Sequence, residues 1–180
     1  MLEDSQVIDM VRKGNTDSFA DIIERYQSPV FRYLYRLTGN YETALDLRQD
    51  TFLRAYKGII KDEVKVSFKA WLYRIATNNA LQFLRRKRVI SFVSLKHASE
   101  EDTAGPGDPA AAIGEKADVR EALIRVPREQ RVCMVLHFVE GFKYREIAET
   151  LGISEEAVRK RVTRGSEEFR RLYTRGGEAG

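Results

Sequence analysis

The residues with chemical reach in this sequence are cations, amides and aromatics at helical spacing. Lys160 and Arg164, with Glu156, Thr163 and Arg171, turn away from a stripe of Val158, Val162, Gly165, Phe169 and Leu172 that recurs at about 100° per residue, and Arg159 lies on the flank. A guanidinium on such a helix can read a guanine edge through two hydrogen bonds, or hold a phosphate. Tyr144 and Arg145, one helix earlier, suit phosphate contacts better than base reading. Solvated surface charge is the usual fate of basic residues on a helix. Here the segment that precedes them argues otherwise. In Tyr144–Val158, Ala148 offers the small side chain that two steeply crossed helices need. Gly152 accepts the positive φ of a tight turn, and Ser154 can cap the second helix. Ile147, Leu151, Ile153, Val158 and Val162 fill the wedge. That is the pattern of a helix-turn-helix.

A second constellation lies on Phe68–Arg88, where Trp71, Arg74, Asn78, Arg85 and Arg86 mix aromatic, amide and cationic groups. Exposed single strands are held by stacking on rings and by cations that follow the backbone. Phe68, Trp71, Leu72 and Ile75 also suit a helix core, and the Arg85–Arg88 run also suits a solvated helix end. Asn78 and Asn79 are harder to explain in a merely structural helix, because Asn weakens helices.

The elements that must position these groups read as helical throughout. Hydrophobic residues are 43% and charged residues 32% of 180, so a packed core is feasible, and the net charge of +4 permits a polyanionic partner without requiring one. Val7, Ile8 and Val11 mark a first helix ended by Gly14-Asn15, and Phe19, Ile22, Ile23 and Tyr26 a second. Ser28-Pro29 should open a third, stopped by Gly39, with Asn40 capping a fourth that carries Ala44, Leu45, Phe52, Leu53 and Tyr56. A long helix follows over about Ser67–Arg88, then shorter ones near 117–125, 128–140, 143–151 and 155–174. Between the halves, Ala98–Pro109 is acidic, small and rich in Gly and Pro, which reads as a flexible linker. The expected fold is all-α, with two small helical domains at 1–90 and 117–175 joined by a linker at 91–116.

The single cysteine, Cys133, sits in an apolar run and reads as a small core residue. No leader is legible in the acidic start, no run approaches a membrane span, and no further domain is expected beyond Gly180, so a cytoplasmic protein without membrane insertion is expected. His97 and His137 are the only histidines. With no phosphate-loop pattern, metal-ligand spacing or activated nucleophile, no catalytic residue, metal or cofactor is expected.

Taken together, Ala44–Tyr56, Phe68–Asn78, Val126–Arg131 and the helix-turn-helix resemble the extracytoplasmic-function (group IV) sigma factors of bacterial RNA polymerase, over nearly the whole chain. The resemblance implies a front half like sigma region 2, which docks on the β′ clamp helices of core RNA polymerase through Asp46, Gln49 and Asp50. It also implies melting of the minus-ten element, with Asn78 at a base pocket and Trp71 building the same helix. The rear half would be like region 4, near the β flap, and would read the minus-thirty-five element through Arg159, Lys160 and Arg164. A control partner, an anti-sigma factor, is implied as well. The sequence departs from the family pattern at Arg48, in the long loop Gly58–Val66, and at Lys160, where relatives often carry a small hydroxyl residue. A plain helix-turn-helix repressor is the competing class; it leaves the aromatic, amide and basic helix without a purpose.

Overall fold

The chain is described by a computed structural model over residues 2–64, 67–93 and 117–177. Every regular element among them is helical. The front half holds α1 (Asp4–Arg12), α2 (Phe19–Thr38), α3 (Tyr41–Ile60) and α4 (Phe68–Val93). The rear half holds α5 (Ala117–Arg125), α6 (Arg128–Met134), α7 (Tyr144–Leu151) and α8 (Glu155–Gly177). After α6 the ladder widens into a π-helical turn over Val135–Val139.

Local chemistry sets several boundaries as the sequence suggests. At the α2–α3 corner Gly39 takes φ +71° and donates its N–H to the Tyr35 carbonyl, 2.8 Å away. That left-handed turn is open to glycine and strained for other residues. Asn40 restarts the helix by accepting from the Thr43 amide at 2.8 Å. The expected break at Ser28-Pro29 does not occur, since Pro29 lies inside one continuous α2. Proline removes one backbone bond there, but the buried face of Ile22, Val30, Tyr33, Leu34 and Leu37 spans the position and keeps both segments on one axis. Two other ends shift. Gly58 is inside α3, so the loop after it begins at Lys61, and α4 runs past Arg88 to Val93. The rest of the expected linker, residues 94–116, and His97 lie outside the described residues.

The front core is apolar with a few satisfied polar groups. Tyr33 is fully buried and shares a 2.6 Å hydrogen bond with the Thr77 hydroxyl, which donates to the Tyr73 carbonyl. The Asn79 amide donates to the Thr51 hydroxyl at 3.1 Å, and Thr51 donates to the Leu47 carbonyl. This relay ties α4 to α3 and fixes the rotation of α4. In the rear half Gly165 lets α8 approach α6: a β-carbon there would sit 2.5 Å from the Met134 sulfur. Cys133 is fully buried, as expected, and burial pushes its thiol pKa up. The two halves also touch each other, α2 against α5 and α6, and α4 against α7.

Candidate nucleic-acid and polymerase interface

The helix-turn-helix closes as its sequence requires. Gly152 ends α7 at φ +66°, and the Ser154 hydroxyl accepts from the Ala157 amide at 3.1 Å. Ile147, Ala148, Val158 and Val162 are buried in the wedge. Burying one stripe of α8 leaves the other side to solvent: Glu156, Arg159, Lys160, Thr163 and Arg164 are all exposed. Lys160 pairs with Glu156 at 2.7 Å. An exposed pair of this kind contributes about 0–1 kcal/mol, so the ammonium can be traded to a phosphate at little cost. Arg145 is 82% exposed and leans on Glu149, while the Tyr144 ring is half-buried against His137, centroids 4.6 Å apart. His137 itself sits 2.9 Å from the Phe142 carbonyl, a packed capping role.

On α4 the structure separates residues that the sequence grouped. Arg74, Asn78, Arg85 and Arg86 are exposed. The first three share one stripe, since steps of four and seven residues return to the same helix face. Arg86 lies off that stripe. Trp71 stands seven residues before Asn78 and so shares that face, yet it is 9% exposed, packed against Phe68 and over Gly58, where a β-carbon would meet the indole at 2.6 Å. Its ring is covered by these neighbours, so it supports the helix without being open to solvent. The two adjacent amides also part company: Asn79 is buried in the Thr51 relay, and that anchor is what turns Asn78 outward.

The third surface is an open groove of about 580 Å³ between α2 and α3. Phe19, Ile23, Leu45, Phe52, Leu53 and Tyr56 line it, with Asp46 and Gln49 on its rim. Leu53 is 55% and Ile23 36% exposed, an apolar surface left without an internal partner. Asp50 stands outside the lining and pairs with Arg54 at 2.8 Å. Arg48, the unusual residue, also lines the groove and lies 5.8 Å from the Phe31 ring. Sequence reasoning found the polar rim and assigned Leu53 to the core. The signal against that was its phase, one step beyond the Ala44, Phe52, Ala55 and Ile59 face that is buried.

Among the described residues no cluster of His, Cys, Asp and Glu could hold a metal ion, and no helix is long and apolar enough to cross a membrane. A family model of sigma-70 region 2 matches residues 22–89, and one of sigma-70 region 4 matches residues 116–168. The chain is 30% identical over 174 residues to the ECF RNA polymerase sigma factor SigW of Bacillus subtilis (strain 168), covering 91% of this chain and 93% of that protein. It is 35% identical over 164 residues to the RNA polymerase sigma factor CarQ of Myxococcus xanthus, covering 89% and 92% respectively. The sigma factor RpoE in complex with the anti-sigma factor NepR from Bartonella quintana shares the fold, with a TM-score of 0.71 at 23% identity over 87% of this chain and 96% of that one.

Proposed function

The chain belongs to the ECF RNA polymerase sigma factors, and from that premise we propose how its own residues divide the work. Residues 1–90 form the unit that binds core polymerase and the minus-ten element, 117–175 the unit that binds the minus-thirty-five element, and 91–116 the connection. The observation that carries this division is the pairing, on one chain, of an exposed reading face on α8 with an exposed cation and amide stripe on α4.

In the rear unit Arg159, Lys160 and Arg164 face base edges, Glu156 and Thr163 border them, and Tyr144 and Arg145 hold the backbone. In the front unit Arg74, Arg85 and Arg86 follow the opened strand while Asn78 binds an extruded base. Trp71 acts by supporting α4. The α2–α3 groove, rimmed by Asp46 and Gln49 with Asp50 nearby, receives the clamp helices of β′, its apolar floor supplying area and its rim supplying orientation. The rear unit also meets the β flap. An anti-sigma factor is the expected regulator, as one accompanies the Bartonella quintana RpoE. The protein works in the cytoplasm and performs no catalysis of its own.

The test is reconstitution. Core polymerase stripped of its own initiation subunit should copurify with this protein and start transcription at a cognate promoter. A protein that bound duplex DNA alone and ignored the polymerase would be a repressor instead. Asn78→Ala should leave polymerase binding intact and slow open-complex formation about tenfold, the loss of one or two amide hydrogen bonds to the flipped base. Melting at the normal rate would remove Asn78 from the pocket.

A further inference from the structure

The two halves share one continuous apolar core, and across their contact runs a set of partly buried polar groups that closes on one carboxylate. Glu140 follows the π-helical turn, its side chain 10% exposed, and accepts a 2.5 Å hydrogen bond from the Tyr73 hydroxyl on α4. Arg36 of α2 stands 4.0 Å away across the same seam, and Lys69 of α4 donates to the Glu140 main-chain carbonyl at 2.9 Å. Phe142 packs on the Tyr73 ring and beneath the Lys69 ammonium. At the far end of the seam Arg120 donates to the Tyr35 hydroxyl at 2.7 Å. Surfaces that touch only by chance keep their charges in water; here a carboxylate is buried and its partners come from the opposite half.

This closed arrangement is incompatible with the working one. The reading faces of α4 and α8 are both exposed in it, so neither is blocked. Their separation is wrong. Two elements centred near minus ten and minus thirty-five lie roughly 25 base pairs, about 85 Å, apart along B-form DNA. A packed body of this chain length has a radius of gyration of only about 16 Å. Val93 and Ala117 are joined by a chain long enough to reach about 80 Å at full extension, so the covalent connection allows the halves to separate.

We propose that the Glu140–Tyr73–Arg36–Lys69 cluster is an intramolecular latch that holds the free protein closed, and that core polymerase must open it. The inference rests on the division of labour proposed above. Closure lowers the apparent affinity for any partner that needs the open form by the fraction of open molecules. It leaves binding to a single isolated element unchanged.

The experiment compares the full-length protein with Glu140→Lys, which sets a cation against Arg36 and Lys69, and with the milder Tyr73→Phe, which keeps the ring and removes the hydroxyl. Small-angle scattering should show both variants expanded at unchanged helical content, Glu140→Lys more so. Core polymerase should bind Glu140→Lys about tenfold more tightly than wild type, while affinity for a duplex carrying only the minus-thirty-five element stays the same. Should Glu140→Lys lose helix, Tyr73→Phe decides. Variants as compact as wild type, or a wild type already extended in solution, overturn the latch. Because compactness is read without polymerase or promoter, that failure is distinct from a failure to support transcription.

Discussion

Holoenzyme carrying both Arg159→Ala and Arg164→Ala is expected to lose about 2–6 kcal/mol of specific promoter binding, from roughly thirtyfold to more than ten-thousandfold. The two arginines are both exposed on α8 and stand about 7.5 Å apart along the helix axis, far enough for their contributions to add approximately. Bases account for the size of the effect. A bidentate guanidinium reads two acceptors of a guanine, and its loss penalises the correct sequence far more than a scrambled one. Arg145→Ala supplies the contrast. As a phosphate contact it should weaken binding equally on all sequences and reduce the salt slope by about one. The measurement is binding to a cognate promoter and to one altered in the upstream element, across a salt series. A double variant that loses the same affinity on both promoters would reassign the two arginines to the backbone.

The exposure of that face of α8 was legible in the sequence because everything that makes it is local. Gly152, Ser154 and the Val158, Val162 stripe act within a few residues, so spacing alone turned Lys160 and Arg164 outward and set Arg159 on the flank. The corner at Gly39-Asn40 was legible for the same reason. Where distant packing competes with local preference, the reading falters. Pro29 has a strong local preference for a helix start, and the core beneath α2 overrides it. Asn78 and Asn79 look equivalent in sequence; only the Thr51 hydroxyl, 28 residues away, distinguishes them. The groove was half visible, its rim of Asp46 and Gln49 apparent and its apolar floor hidden, because Leu53 reads as core until the neighbours that would cover it prove absent. The seam between the halves was invisible. Tyr73 and Glu140 are 67 residues apart, and no periodicity links them.

Arg131 joins the same two halves from the other end of the seam, and its loss is expected to cost about 3 kcal/mol of stability. It is 7% exposed, and its guanidinium donates to the Leu37 carbonyl at 2.5 Å, to Ile124 at 2.5 Å and to Val126 at 3.3 Å. Leu37 lies in the last turn of α2 and Ile124 in the last turn of α5, so one cation satisfies carbonyls at two negative helix termini. Burial lowers its pKa to about 10, which still leaves it charged at neutral pH. Arg131→Ala strands those acceptors, and for a chain of this size the midpoint of thermal unfolding should fall by about 6–12 °C. Arg131→Lys should recover only part of this, since an ammonium lacks the planar fork that spans separate acceptors. The Leu37 bond crosses to the front half, whereas the Ile124 and Val126 bonds do not. If Glu140→Lys opens the seam, the Leu37 bond is already lost in that background, and Arg131→Ala should then cost measurably less than it does in the wild type. An identical cost in both backgrounds would mean that Arg131 stabilises the rear half alone and that its bond to Leu37 contributes nothing to the seam.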